Sequence, residues 1–234
     1  MGDIGSAFAE AGGLIVAADA TLYGIVLLSL EVSLTAVAAA TAIGLPLGAA
    51  LAIRRFPGRP VLLVTLNALM GLPPVVIGLL VYLLLSRAGP LGELGLLFTP
   101  TAMVVAQAIL VTPIIAGLSR QVLEDAWHEY EEQLRSLGAT PSRAAATLIW
   151  DTRYSLVTVV LAGFGRAAAE VGAVMIVGGN IDGVTRVMTT TISLETSKGN
   201  LPLALGLGII LVAVVFLINA AAQIIKSAAV RRYG

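Results

Sequence analysis

Long runs without a charged side chain are the feature that most limits how this chain can fold. A helix needs roughly 20 residues to cross the ~30 Å hydrocarbon layer of a membrane. Five segments reach that length; the first carries Glu31 near its outer boundary, and Arg166 and Glu170 interrupt the fourth. The sequence therefore predicts an all-α integral membrane protein with about five transmembrane helices. The predicted spans lie at about residues 22–53, 61–86, 94–119, 154–177 and 201–225.

The charge content and the missing residue types exclude several other classes of protein. Only 12% of the residues are charged, against about 25% in a typical soluble domain, and the net charge is zero. A neutral chain offers no basic surface for nucleic acid. The absence of cysteine excludes disulfides, thiol nucleophiles and Cys-ligated metals. No phosphate-binding G-x-x-x-x-G-K loop is present, so we expect no ATP site and no cofactor in this chain.

The lysines and arginines set the expected orientation, because cytoplasmic loops are enriched in these residues. With five spans, ten of the 14 fall on one side of the membrane and three on the other. We therefore expect the N-terminus outside and the C-terminus in the cytoplasm. Apolar residues at helical spacing predict a short outer helix over residues 1–20, and the predicted transmembrane domain follows over residues 21–230.

Two features within the predicted spans are candidates for a transport path or gate. Pro73 and Pro74 remove two backbone donors and kink the second span, a break that serves either helix packing or a substrate site. Arg166 and Glu170 stand four residues apart in the fourth span, so a continuous helix would place them on one face. They form either a neutralised pair that joins helices or a pair beside the path.

Residues 178–200 form the predicted outer connection and are rich in hydroxyl groups. Glycines break the fourth span there, and a new helix is expected near Thr185. Hydroxyl and guanidinium groups can donate hydrogen bonds to an oxyanion, whereas the hydroxyls of an ordinary outer loop would face water. Both interpretations stay open. The candidate path residues in this connection are Asn180, Thr185, Arg186, Thr189 and Thr190.

The segment Gln121–Thr152 is the only long polar stretch, and its orientation predicts a cytoplasmic location. Gly138 is placed to end a first helix in a left-handed conformation. Thr140 can cap a second helix that begins at Pro141. Such a two-helix loop either docks another protein or packs only on its own chain. Its first helix is predicted from apolar residues that recur every three or four positions: Leu123, Trp127, Tyr130, Leu134 and Leu137.

The run from Glu132 to Gly138 resembles the cytoplasmic signature loop of ABC importer permeases, in which Glu-Ala-Ala, three residues and Gly precede a short second helix. Gln133 and Leu134 replace the two alanines of that motif, and Asp151 stands where the family often has proline. The segments at residues 73–78 and 166–186 look like the corresponding segments of molybdate-type oxyanion permeases. Residues 185–199 are most similar to the tungstate branch.

This resemblance implies the transmembrane permease subunit of an ATP-driven importer for tungstate, with molybdate or sulfate as alternatives. In the plasma membrane of a prokaryote, it implies a homodimer with two ATPase subunits, which would hold ATP and magnesium, and an extracytoplasmic oxyanion-binding protein. A secondary transporter would need an intramembrane coupling-ion site and usually an inverted repeat, and no clear repeat is visible. A membrane enzyme would need a catalytic constellation, and none is visible. The implied ATPase-coupling residues are Tyr130, Glu132, Leu134, Leu137, Gly138, Ala139 and Thr140.

Overall fold

Helices form every regular element of the part of the chain that the structure describes. The computed structural model describes residues 12–13 and 20–233. The predicted outer helix at residues 1–20 therefore lies almost entirely outside the described residues. A single 3-10 turn at Gly92–Leu94 precedes the longest helix. The helices are α1 (Ala20–Ile53), α2 (Arg59–Met70), α3 (Pro74–Leu85), α4 (Pro100–Ser136), α5 (Pro141–Asp151), α6 (Arg153–Ala168), α7 (Gly172–Gly178), α8 (Met188–Lys198) and α9 (Leu201–Tyr233).

Three of these helices are long and apolar enough to cross a membrane by themselves. They provide the segments Leu22–Ile53, Pro100–Ser136 and Leu201–Ala228. Two further pairs, α2 with α3 and α6 with α7, pass the same test together but are bent at a short break. Counting each bent pair as one span gives up to five spans among the described residues. The predicted all-α membrane fold is confirmed.

The break predicted at the two prolines of the second span is present. Helix α2 ends at Met70, and the amide of Gly71 donates to the Ala68 carbonyl at 3.1 Å. Pro74 is the first residue of α3, where the missing N–H of proline removes no helical hydrogen bond. The prolines therefore end one helix and begin the next.

The third predicted span, at about residues 94–119, corresponds to a helix with different bounds. Its helix begins at Pro100 instead of residue 94. It also continues without interruption to Ser136, through the boundary that the sequence placed at Ser119. Charged residues mark where a helix leaves the apolar layer, but they do not end it, because glutamate and arginine are good helix formers. Pro113 lies within α4, and the helix continues through it.

The fold divides into two units that are each assembled from separate parts of the chain. The first unit contains the residues up to 35, 74–107 and those from 168 onward. Within it α3 packs on α7, where a Cβ at Gly78 would come within 2.8 Å of the Ala173 Cα. Helix α8 packs on α9 through Met188 and Leu207, both fully buried. The second unit contains residues 36–73 and 108–167.

Close approach of α1 to α4 holds the second unit together. Gly44 and Gly48 allow this approach, since a Cβ at Gly44 would lie 3.0 Å from the Thr112 carbonyl oxygen. At Gly48 a Cβ would lie 2.7 Å from the carbonyl oxygen of Ala116 and would also collide with the Ser119 hydroxyl. Small residues four apart let the two backbones touch in this way.

We expect Gly48→Ala to lower the free energy of unfolding by about 1–3 kcal/mol, because the added methyl group forces α1 away from α4. Thermal unfolding of the purified protein in detergent measures the change. Gly24→Ala is the matched control on the same helix, since a Cβ there meets nothing within 4 Å. Equal melting temperatures for the two variants would show that the glycine contact does not hold the unit together.

Candidate functional site

The elbow, which we define as residues 134–141 between α4 and α5, has the geometry that the sequence predicts. Gly138 is left-handed, with φ 70°, and its amide donates to the Arg135 carbonyl at 2.9 Å. The amide of Ala139 donates to the Leu134 carbonyl at 2.9 Å. These two bonds form a Schellman ending, which satisfies carbonyls at the end of α4. The backbone therefore turns sharply at a fixed point.

The second helix of the elbow begins with the predicted cap. The Thr140 side chain accepts a hydrogen bond from the Arg143 amide at 3.5 Å, and Pro141 is the first helical residue. Thr140 is extended, with ψ 155°, as helix caps usually are. Because the ending uses backbone groups of the elbow and the cap uses the Thr140 side chain, the shape of the elbow does not depend on a partner.

The predicted apolar stripe on α4 packs against residues of the protein's own helices α1, α5 and α6. Leu123 and Trp127 are buried in one cluster with Leu148 of α5. Tyr130 and Leu134 pack against the edge of that cluster and are half-buried. Leu137 is different, because 82% of its surface is exposed. The stripe therefore holds α5 against α4 and ends before the turn.

The exposed coupling candidates therefore concentrate at the turn itself. Glu132, Leu137, Gly138 and Thr140 are exposed, and Ala139 is half-exposed. An exposed leucine at the tip of a polar elbow offers a partner protein an apolar contact. Of the predicted set, these five residues are open to a partner, while Tyr130 and Leu134 are partly covered by the chain itself.

An ion-pair network that the sequence interpretation missed anchors α4 above the elbow. Glu124 accepts a hydrogen bond from Arg59 Nη2 at 2.6 Å and pairs also with Arg120. Arg59 Nε donates in addition to the Leu51 carbonyl at 2.9 Å, near the end of α1. The spacing of Arg120 and Glu124 was a visible signal, because residues four apart share a helix face. Nothing local pointed to Arg59, which is 65 residues distant in sequence from Glu124.

The two charged residues of the fourth span do not lie on one continuous helix. Helix α6 ends at Ala168, between Arg166 and Glu170. Arg166 lies in the last turn of α6, where the partial negative charge of a helix end favours a cation. Three residues of non-helical backbone then separate α6 from α7. The spacing argument failed because it assumed an unbroken helix.

Glu170 instead supports the start of the next helix. Its side chain is buried, with 4% exposure, and its Oε1 accepts a hydrogen bond from the Ala173 amide at 3.1 Å. A carboxylate at a helix N-terminus satisfies a free amide and meets the positive end of the helix dipole. The Thr189 hydroxyl donates to the Glu170 carbonyl at 2.8 Å. Glu170 therefore stabilises the broken backbone of the first unit.

Four of the five threonines of the outer connection, Thr185, Thr189, Thr190 and Thr191, are buried, whereas Thr196 is exposed. The four buried ones do not belong to an ordinary water-facing loop. Thr185 donates to the Gly178 carbonyl at 2.5 Å and accepts from the Ile181 amide at 2.9 Å. Thr190 donates to the Val187 carbonyl at 3.1 Å. The hydroxyl hydrogens of Thr185, Thr189 and Thr190 are thus engaged with backbone carbonyls. A direct role of these hydroxyls toward an oxyanion would require them to exchange partners.

Two other predicted path residues keep unsatisfied polar atoms. Asn180 has a positive φ of 50°, and its Oδ1 is buried without a hydrogen-bond partner among the described residues. Arg186 pairs with Asp182 at 2.9 Å, while its Nε is buried without a partner in the same part of the chain. Of the two atoms, the Arg186 Nε can donate a hydrogen bond to a further group and the Asn180 Oδ1 can accept one.

Helix α8 ends in a second Schellman turn that is braced by Glu195. The Asn200 amide donates to the Glu195 carbonyl at 2.9 Å, and Gly199 is left-handed. The Glu195 carboxylate accepts hydrogen bonds from Lys198 and Asn200, both at 2.9 Å. These bonds, that from Lys198 first, hold the pKa of the Glu195 carboxyl below its ordinary value of 4.5. The stabilisation is therefore present at neutral pH and is lost as the pH falls through the lowered pKa.

Comparison with known proteins identifies the class to which this arrangement belongs. Residues 44–234 match the family model described as the inner membrane component of binding-protein-dependent transport systems. The chain belongs to this family. The matched region includes the elbow, all of the path candidates and the ion-pair network around Glu124. The protein is thus a permease subunit with several membrane-spanning helices.

Individual relatives match the permease over most of its length. The tungstate uptake system permease protein TupB of Peptoclostridium acidaminophilum is 43% identical over 217 residues, which cover 93% of this chain and 95% of the relative. A probable anion ABC transporter permease protein of Haloferax volcanii is 42% identical over 204 residues, which cover 85% of this chain and 88% of the relative. TupB of Campylobacter jejuni is 41% identical over 150 residues, which cover 64% of this chain and 63% of the relative.

We expect Glu124→Gln to lower the unfolding free energy of the permease by about 1–3 kcal/mol, because the substitution removes the charge that neutralises Arg59 and Arg120. Thermal unfolding in detergent at low and high salt measures the loss. Asp125→Asn is the control, since Asp125 is an exposed neighbour on the same helix. A melting temperature for Glu124→Gln equal to that of the control would show that the network adds nothing to stability.

Proposed function

We propose that this permease subunit moves a tetrahedral oxyanion, tungstate, into the cytoplasm in an importer driven by a separate ATPase. The observation that carries the proposal is the 43% identity, over 93% of the chain, to a tungstate uptake permease. The Haloferax relative, named for an anion ABC transporter, supports the broader class of substrate. Molybdate and sulfate are the alternatives, because both share the charge and tetrahedral shape of tungstate.

In this proposal the elbow is the contact point for the ATPase. Its turn is fixed by the Gly138 ending and the Thr140 cap, and it exposes Leu137. Helix α4 continues without a break from the membrane segment to the elbow, so a displacement of the turn is transmitted along one helix. ATP and magnesium act in the partner subunit. Binding of ATP shifts the permease between its two states only if the ATPase contacts the elbow differently in each.

The complete importer of this proposal contains two copies of the permease, two ATPase subunits and an extracytoplasmic binding protein that delivers the anion. The N-terminus lies outside and the C-terminus lies in the cytoplasm, as the distribution of lysine and arginine favours. The path holds the anion only weakly, since a tightly bound anion would not leave. Arg186, whose buried Nε is a donor without a partner among the described residues, is the first candidate for that weak contact.

We expect Gly138→Val to abolish most ATP-driven uptake while the protein still inserts and assembles. Valine cannot adopt φ 70° without strain of about 1–2 kcal/mol, so the elbow is displaced although a Cβ there meets nothing within 4 Å. Uptake and ATP hydrolysis are measured together in proteoliposomes that contain the ATPase and the binding protein.

Gly95→Val is the matched control for this experiment. Gly95 is also left-handed, with φ 60°, and also has open space around its Cα, but it lies far from the elbow in sequence. Equal loss of uptake in both variants would point to general strain. Normal uptake and normal stimulated ATPase activity in Gly138→Val would contradict the role of the elbow.

We expect tungstate to be the strongest competitor of its own uptake by the reconstituted importer, ahead of molybdate and sulfate. The measurement is uptake of radiolabelled tungstate with increasing amounts of each unlabelled anion. Stronger competition by molybdate or sulfate would assign the importer to that anion and leave the permease class intact. Uptake by the permease alone, without ATPase and ATP, would instead support a secondary transporter.

A further inference from the structure

A cavity of about 760 Å³ opens in the second unit where α1 ends, α2 begins and the elbow turns back. Its wall includes three arginines, which are Arg54, Arg55 and Arg135, and no acidic side chain is among its lining residues. Arg135 is engaged by Glu131 at 2.6 Å. The side chains of Arg54 and Arg55 form no ion pair or hydrogen bond with any described residue. Two unneutralised arginines therefore face this cavity.

The remainder of the cavity wall is apolar. Leu47 on α1, Phe56 in the connection and Leu62 on α2 line it, and all three are exposed to an extent unusual for large apolar side chains in a packed core. The cavity thus combines a basic rim with an apolar wall. A ligand that fits both must carry an anionic group and a hydrocarbon part.

The position of the cavity matches the boundary between hydrocarbon and headgroups. The membrane segment of α1 ends at Ile53, and Arg54 and Arg55 follow it directly. Their connection to α2 is short and is stiffened by Pro57, with Gly58 left-handed at the start of α2. Arginines held at the end of a membrane span lie at the depth of the lipid phosphates.

A second group of residues typical of the membrane–water interface lies in the same unit. The Arg153 guanidinium stacks 4.8 Å from the Trp150 ring and 4.5 Å from the Tyr154 ring, at the start of the membrane helix α6. Trp150 is 71% exposed. Tryptophan and tyrosine concentrate at the headgroup level, where one end of the ring is apolar and the other is wet. The ends of α1 and α6 both carry interfacial residues.

We propose that this cavity binds an anionic phospholipid. The guanidinium groups of Arg54 and Arg55 hold the lipid phosphate, and an acyl chain lies along Leu47 and Leu62. Arginine suits this role because its planar group donates paired hydrogen bonds to phosphate oxygens. A soluble phosphate would leave the apolar wall uncovered, and a neutral headgroup would leave the two charges without a counterion. The site does not depend on which anion the permease transports.

The lipid would also touch the moving part of the permease. Pro141, the first residue of α5, lines the same cavity as Arg54. A lipid seated there contacts both the α1–α2 connection and the elbow. Occupancy of the cavity therefore raises the resistance of the second unit to thermal unfolding, since a ligand that binds only the folded state stabilises it.

The test is lipid retention by the full-length permease in mild detergent, measured by native mass spectrometry with phosphatidylglycerol or phosphatidylcholine added at equal concentration. We expect several-fold greater retention of phosphatidylglycerol, with a matching rise in melting temperature and a loss of the preference at high salt. The double variant Arg54→Gln, Arg55→Gln should retain both lipids equally. The double variant Arg87→Gln, Arg143→Gln, which removes the same charge from exposed sites outside the cavity, should keep the preference.

Several results would overturn the proposal. Equal retention of the two lipids by the wild-type protein would do so, as would a preference that survives in the Arg54, Arg55 variant. Glycerol phosphate that stabilises the protein as well as phosphatidylglycerol does would show that the acyl chain is not bound. Loss of ATPase copurification in the Arg54, Arg55 variant, without any lipid preference in the wild type, would assign the surface to the ATPase. If that variant does not fold, the wild-type lipid preference and its salt dependence decide.

Discussion

Backbone amides within the hydrocarbon layer must find their partners inside the protein, because no water is available there. The long helices α1, α4 and α9 meet this requirement by themselves. Where the helices break, side chains form hydrogen bonds with the backbone groups that have no helical partner. The Glu170 carboxylate accepts from the Ala173 amide, and the hydroxyls of Thr185 and Thr189 donate to free carbonyls. The polar residues between 170 and 191 thus stabilise the broken backbone through bonds that involve no ligand.

The hydrogen bonds made within the protein also distinguish the outer connection from the elbow, the two regions on which the proposed transport function depends. The outer connection uses most of its hydroxyls internally, which leaves Asn180 and Arg186 with unsatisfied atoms. The elbow uses its backbone groups internally, in the ending at Gly138 and the cap at Thr140, and leaves side chains such as Leu137 exposed. One region is therefore suited to weak polar contact and the other to docking. Helix α4 reaches the elbow, and Glu124 ties it to Arg59.

Local signals in the sequence predicted the features that depend on only a few neighbouring residues. Gly138, Thr140 and Pro141 each have a restricted backbone or capping preference, so their order alone specified the elbow. The prolines at 73 and 74 specified a break for the same reason. The break at residues 169–171 carried no such signal, because Ala-Ala-Ala-Glu favours a helix. The continuous helix that the spacing of Arg166 and Glu170 assumed is therefore absent.

The sequence by itself determined that the chain is a helical membrane protein, where its spans lie approximately, and that it turns at Gly138. Those properties follow from the length of apolar runs and from single-residue backbone preferences, which act locally. Only the tertiary structure decided that Glu170 caps α7, that Glu124 joins Arg59 across 65 residues of sequence, and that Arg54 and Arg55 face an apolar cavity. These contacts depend on which segments, distant in sequence, pack together in the fold. The charge or hydroxyl content of a segment does not specify which group a polar side chain will bind.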